Sequence, residues 1–303
     1  MPTMLDGNSV RDRILSGLQP RVAALAAASR PPGLAVVLVG NDPGSQIYVR
    51  NKVKACAELG IRGQSLTPPE TVTTEELLAI IDGLNRRPDI DGILVQLPLP
   101  RQVDTRRVLL AVAPDKDVDG FHPMNVGNLV AGRPGPRPCT PAGIMELLRQ
   151  YQIPVAGKRA VIVGRSDIVG KPMALLLLHA HATVTVCHSR TVDLASVCRE
   201  GEILVAAMGR PAMLTADYIR PGAVVIDVGM NRITDRAEAE RIFRGSPDRL
   251  ATLERKGSVL VGDVDPDAMR QKAAAYTPVP GGVGPLTIAM LMSNTVSAAE
   301  GWQ

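Results

Sequence analysis

Residues 159–178, RAVIVGRSDIVGKPMALLLL, decide the fold. A short β-branched apolar run ends at Gly164, a five-residue turn follows, and Gly170 opens an apolar helix with Pro172 in its first turn, where a missing N–H costs nothing. Strand, glycine turn and helix in this order form the phosphate-binding corner of a dinucleotide site. The fingerprint is altered. Gly164 makes the tight turn and Gly170 lets helix and strand approach. Ser166 stands where the middle glycine would be, and the loop is one residue longer. A helix N-terminus there favours a phosphate through its amides and dipole. A plain βα turn would read almost the same.

Outward from this corner, apolar runs recur at 34–40, 91–100, 182–188, 202–209, 223–229 and 258–265. They are continuous rather than alternating, which predicts strands buried on both faces of parallel sheets. The intervening segments are long enough for crossover helices. The pattern predicts two α/β units, the second a Rossmann-like doubly wound sheet. The Gly/Pro-dense stretch AGRPGPRPCTPAG (131–143) predicts the hinge between them. Thr140 and Pro141 read as N-cap and first residue of a helix ending near Gln150.

The 182–188 run ends in His188, Ser189 and Arg190, where an NAD site carries an acid for the ribose hydroxyls. Two cations, Arg165 and Arg190, and a hydroxyl favour the 2′-phosphate of NADP. In the first unit, SQIYVRNKVKACAEL (45–59) predicts a helix with Ser45 as N-cap. Tyr48, Lys52, Cys56 and Leu59 share one face. A lysine in such a stripe either snorkels to water or lines a pocket, where desolvation favours a neutral amine able to act as a base. Gln96 lies inside a buried-strand pattern and must find partners. At the C-terminal edge of a parallel strand it would face a ligand crevice. Asp119 sits in the loop PDKDVDGFHP, and TPVPGGVGPLT (277–287) is a rigid turn feeding a helix.

Several classes are excluded. Four Tyr, two Phe and one Trp in 303 residues leave almost no stacking platform for single-stranded nucleic acid. A net charge of +4 without basic clusters argues against duplex binding. His179, His181, Cys187 and His188 lack a carboxylate or C-x-x-C partner, so no metal is expected. Asp115, Asp117 and Asp119 begin like a calcium loop, but Val126 stands where the bidentate Glu is required. Four cysteines without paired spacing, no signal-like N-terminus and no apolar run of about 18 residues predict a cytoplasmic protein off the membrane.

Six motifs now stand in order: YVRNK (48–52), VQLPLP (95–100), PDKDVDGFHPMNVG (114–127), PCTP (138–141), GRSDIVGKP (164–172) and TPVPGGVGPLT. Together they resemble the bifunctional methylenetetrahydrofolate dehydrogenase/methenyltetrahydrofolate cyclohydrolase family. The resemblance implies a folate-binding catalytic domain of residues 1–138 and 278–303, an NADP-binding domain of 139–277, and a cleft between them. It implies that Tyr48 stacks on the folate ring system and that Lys52 is the catalytic amine, hydrogen-bonded to Gln96. Asp119 would hold the pterin N–H groups. Val95, Leu97 and Pro280, Gly281, Gly282, Val283 and Gly284 would complete the substrate contacts. Gly164, Arg165, Ser166, Ile168, Gly170, Ser189, Arg190, Met230 and Thr140 would hold the coenzyme, and a homodimer would form through the second unit. Residues 232–256 are longer than the family's usual connection, and GDVDP (262–266) replaces its more common GDVDF. A dehydrogenase without the hydrolase step, a silent NADP-binding regulator and a shikimate-type dehydrogenase are the competing readings.

Overall fold

The computed structural model describes residues 1–244 and 246–302. Among them run eleven strands: β1 (Thr3–Met4), β2 (Gly33–Val37), β3 (Arg62–Leu66), β4 (Gly92–Val95), β5 (Arg159–Val163), β6 (Thr183–Cys187), β7 (Ile203–Ala206), β8 (Val224–Asp227), β9 (Asn231–Ile233), β10 (Val259–Val261) and β11 (Ala275–Tyr276). The chain divides into two compact units. One comprises 11–139 with 287–303, the other 1–10 with 140–286. The breaks therefore fall at 139/140 and 286/287, inside the expected hinge and nine residues beyond the expected return point. The first ten residues join the second unit because β1 adds in parallel to β11.

The first unit is built on a parallel sheet in the order β3-β2-β4. Every residue of β2 is buried, and successive side chains serve opposite faces. Leu34 and Val36 pack with Val49, Cys56 and Leu59 of helix Pro43–Leu59 and with Leu291, Met292 and Val296 of helix Val283–Ala299. Ala35 and Val37 pack with Leu77, Ile81 and Leu84 of helix Thr74–Asn85. Helix Pro43–Leu59 starts earlier than predicted. Asp42, not Ser45, is its cap, accepting from the Ser45 N–H at 2.7 Å. A carboxylate three residues before Ser45 outcompetes the serine hydroxyl for the same end. The helix ends at Gly60, whose φ of 78° is the left-handed conformation that stops a helix without strain.

The second unit carries a six-stranded parallel sheet, β1-β11-β8-β7-β5-β6. Its core is aliphatic, with Val161, Val163, Leu204, Ala206 and Val225 from the strands and Cys198 and Met269 from the helices. Two expectations about the strands need correction. The run 258–265 is not part of this sheet. Only Val259–Val261 are extended, and they pair antiparallel with β9. With helices Arg236–Ile242 and Pro247–Lys256 this hairpin encloses a small core of Ile233, Ala239, Ile242, Phe243, Leu253, Val259 and Val261. Second, β6 is an edge strand and most of it is exposed, so an apolar run did not mean burial on both faces. Near the chain end the Trp302 Nε1–H donates to the Asp115 carbonyl at 2.7 Å. Helix Cys139–Gln150 also begins one residue before Thr140, which is therefore inside the helix rather than its cap.

Ile162 is fully buried at the centre of β5. Ile162→Ala should destabilise the 140–286 unit by about 2–5 kcal/mol, and Ile162→Val by about 0.5–1.5 kcal/mol. Urea unfolding followed by hydrogen exchange should locate the loss in that unit rather than in 11–139.

Candidate active site

Lys52 lies two turns into helix Pro43–Leu59, one turn after Tyr48. It is only 9% exposed, so it does not snorkel. Its Nζ donates to Gln96 Oε1 at 2.9 Å. Gln96 follows directly on β4, and its own Nε2 donates to the Leu97 carbonyl at 2.8 Å. That second bond fixes the amide orientation, so the oxygen must face the amine. Tyr48 is 43% exposed, leaving a ring available to a flat ligand. Val95 is buried in the core cluster, so only its backbone is available to a ligand.

Asp119 reaches this place through a loop stitched to β4. Ile93 donates its N–H to the Lys116 carbonyl, and Ile93 and Asp117 form a parallel bridge. Asp117 holds the loop in shape by accepting from the His122 N–H at 2.8 Å and from Asn125 Nδ2 at 2.9 Å. Asn125 Nδ2 also donates to the Pro114 carbonyl. Gly120, at φ 73°, lies so close to the next segment that a Cβ there would sit 2.7 Å from Pro138 N. Burial raises the Asp119 carboxyl from 3.8 to about 6, against the pull of the Lys52 charge and with a further push from Asp117. The structure thus gathers Lys52, Gln96 and Asp119 in the first unit. The 280–284 loop belongs to the second unit, where the Gly7 N–H donates to the Gly281 carbonyl.

In the second unit the glycine turn is packed tightly against its own backbone. A Cβ on Gly164 would lie 2.1 Å from the Ala207 carbonyl oxygen, and one on Gly170 2.2 Å from that of Gly164. Arg165, Ser166 and Ile168 are exposed on the turn, as are Ser189 and Arg190 beyond β6. The turn and β6 are adjacent, with the Gly164 N–H donating to the Cys187 carbonyl. The amide cradle differs from expectation. Ser166 Oγ accepts from the Val169 and Gly170 N–H groups at 3.2 and 3.3 Å, and the Lys171 N–H is held by the Ser166 carbonyl. The serine in the middle position satisfies helix amides that a glycine would leave open. Met230 is 41% exposed at the start of the β9 hairpin, and Thr140 sits in helix Cys139–Gln150.

Sequence reasoning passed over two buried acids. Asp263 is fully buried and accepts from the N–H groups of Met208, Gly209 and Arg210 and from Asn231 Nδ2. Asp227 accepts from the N–H groups of Gly229, Asp263 and Val264. Burial lifts its carboxyl to about 7, opposed by those amides. Together they shape the loops beyond β7 and β8. The signal was present in the sequence: an acid inside VVID, like Gln96 inside ILVQ, is a polar group in a buried-strand pattern. Among the described residues no cluster of three or more His, Cys, Asp or Glu could hold a metal.

Comparison with known proteins gives a consistent result. Residues 5–119 match the family described as tetrahydrofolate dehydrogenase/cyclohydrolase, catalytic domain, and 138–303 its NAD(P)-binding domain. The chain is 68% identical over 300 residues to a bifunctional protein FolD of Solibacter usitatus, covering 99% of this chain and 98% of that one. It is 61% identical to the corresponding protein of Koribacter versatilis, over 99% and 97%. The crystal structure of the bifunctional FolD methylenetetrahydrofolate dehydrogenase/cyclohydrolase from Campylobacter jejuni superposes with a TM-score of 0.90 at 43% identity, covering 99% of both chains. That of the Trypanosoma brucei enzyme, complexed with NADP cofactor and inhibitor, gives 0.88 at 40% identity, covering 99% and 97%.

The raised Asp119 has a measurable cost. The folded chain binds this proton more tightly than the unfolded chain does, so the stability it lends is complete below about pH 4 and lost as pH rises through about 6. Asp119→Asn should be more stable than the parent at pH 8, by on the order of 1–3 kcal/mol. The difference should shrink towards pH 4 in paired thermal or urea melts. A gap that does not change with pH would show that the asparagine acts through packing instead.

Proposed function

The chain belongs to the tetrahydrofolate dehydrogenase/cyclohydrolase family, and on that premise we propose which of its residues carry the two reactions. The protein oxidises 5,10-methylenetetrahydrofolate to the 5,10-methenyl compound with NADP and hydrolyses that product to 10-formyltetrahydrofolate. Bound NADP supplies the acceptor for one hydride. The observation that carries our assignment of roles is the buried Lys52 amine held on the Gln96 oxygen, beside the raised Asp119 carboxyl.

In the first reaction a C–H bond of the methylene bridge breaks and its electron pair leaves as hydride. The remaining cation is shared by the two flanking nitrogens. No proton moves, so the protein has only to align the reactants. Tyr48 stacks on the flat ring system and Asp119, as carboxylate, accepts the pterin N–H groups. Val95, Leu97 and residues 280–284 (Pro280, Gly281, Gly282, Val283, Gly284) are further substrate contacts. In the second reaction the oxygen of water bonds to the methenyl carbon and gives up its protons. The bond from that carbon to N5 then breaks, N5 takes one proton, and the other is released to solvent. Lys52 handles this traffic as the one amine on the apolar helix face. Gln96 keeps the amine aimed, because its own NH₂ is occupied by Leu97.

For the coenzyme, Gly164 and Gly170 let the backbone close on itself, and Arg165, Ser166 and Ile168 line the turn. Ser189 and Arg190 meet the 2′-phosphate, with Met230 and Thr140 as outer contacts. The absence of an acid just after β6 supports NADP over NAD. We further propose a homodimer, supported by the open outer edge of β6 and the exposed Val186. A cytoplasmic location is supported by four free, buried cysteines. No helix among the described residues is long and apolar enough to cross a membrane.

Purified protein mixed with methylenetetrahydrofolate should reduce NADP, and added methenyltetrahydrofolate should decay. Lys52→Met should lower the cyclohydrolase rate by about a hundredfold or more while the dehydrogenase loses less. Full cyclohydrolase activity in this variant would remove Lys52 from the mechanism. Arg190→Ala should raise KM for NADP by about tenfold or more and leave KM for NAD unchanged. A parallel rise for both coenzymes would place Arg190 away from the 2′-phosphate.

A further inference from the structure

Helix Val283–Ala299 places an asparagine where packing alone would put an aliphatic residue. Asn294 is 7% exposed and sits among buried Leu291, Met292 and Val296. Asparagine is a mediocre helix former, and a buried amide costs free energy unless it is hydrogen-bonded. Its Nδ2 is fully used. It donates to the Val118 carbonyl at 2.8 Å and the Arg137 carbonyl at 2.9 Å, and approaches Cys139 Sγ at 3.6 Å.

These partners share one property. Val118 immediately precedes Asp119, and the thiol of Cys139 lies 3.4 Å from the Val118 carbonyl and 3.9 Å from Asp119 Oδ1. Arg137 begins the segment that lies in backbone contact with Gly120, the residue after Asp119. One amide from the far end of the chain thus ties together the peptide before the carboxylate and the segment beside it. Asp117, Gly120 and the bridge to β4 hold the loop from its other sides.

We propose that Asn294 is a positioning residue for Asp119, fixing the carboxylate at which the folate is bound. The inference rests on the reading of Asp119 as the folate-binding carboxylate. The groups that face Asp119 are Lys52, Asp117 and the Cys139 thiol, so a new charge at 294 would be felt there.

The test compares Asn294→Ala, Asn294→Asp, Asn294→Ser and Asp119→Asn in the full-length protein, with NADPH binding by fluorescence as the measure of folded second unit. In Asn294→Ala the folate KM should rise by about tenfold, with NADP KM within about twofold of the parent. In Asn294→Asp the donor is lost and a carboxylate arrives, so the acid limb of folate kcat/KM should move to higher pH. Asn294→Ser keeps a shorter donor and should fall between the parent and the alanine variant. If the three variants lower kcat in proportion while both KM values and the acid limb stay put, Asn294 has only a structural part and the proposal fails. Failure of all three to bind NADPH assigns Asn294 to folding and also overturns it. Asp119→Asn separates the two levels. If it leaves folate KM unchanged, the reading of Asp119 is wrong. If it raises folate KM while the Asn294 variants do not, only the present inference is wrong.

Discussion

A lysine amine turned away from water has to be met by an oxygen, and everything around Lys52 follows from that requirement. The helix that carries it must have an apolar face, since its neighbours Val49 and Cys56 fill the core beside β2. The oxygen must come from a side chain that cannot rotate away, and Gln96 meets that condition through its second bond to Leu97. The partner is a neutral amide rather than a carboxylate, so this contact is a hydrogen bond and not an ion pair. The nearby acid then has to be kept from closing on the lysine, which the loop through Asp117 and Asn125 accomplishes by fixing its own backbone.

Much of this was legible in the sequence, and the legible parts share a cause. Gln96 and Lys52 stood out because each is polar inside an apolar pattern of known period, and such a residue needs a partner. The Gly164–Gly170 turn stood out because only glycine tolerates the close approaches found there. The same logic applied to VVIDVG would have found Asp227, and applied to the C-terminal helix would have found Asn294. Both side chains bond to residues far away in the sequence, up to 37 and 176 positions, and period alone does not name such partners.

What the sequence misassigned depends on neighbours rather than on composition. An apolar run is buried on two faces only where other elements cover both faces: β4 lies at a sheet edge and is buried throughout, whereas β6, also at an edge, is mostly exposed. β6 has a neighbour on one side, and β10 pairs with a short hairpin partner instead of joining the sheet. The serine in the phosphate turn is a different case. Its residue type suggested a weaker glycine fingerprint, whereas its hydroxyl acts as an internal ligand for the helix amides. The helix end arrives partly satisfied.

The chain passes from one unit to the other three times, after residues 10, 139 and 286. Neither unit is a continuous stretch of the gene. A recombination event that exchanged the coenzyme-binding half for that of another dehydrogenase would have to cut at three places in register. The first ten codons would have to travel with the middle of the sequence. Inheritance of the two halves is thereby coupled. Change in either half is channelled into point substitutions rather than into the swapping of domains.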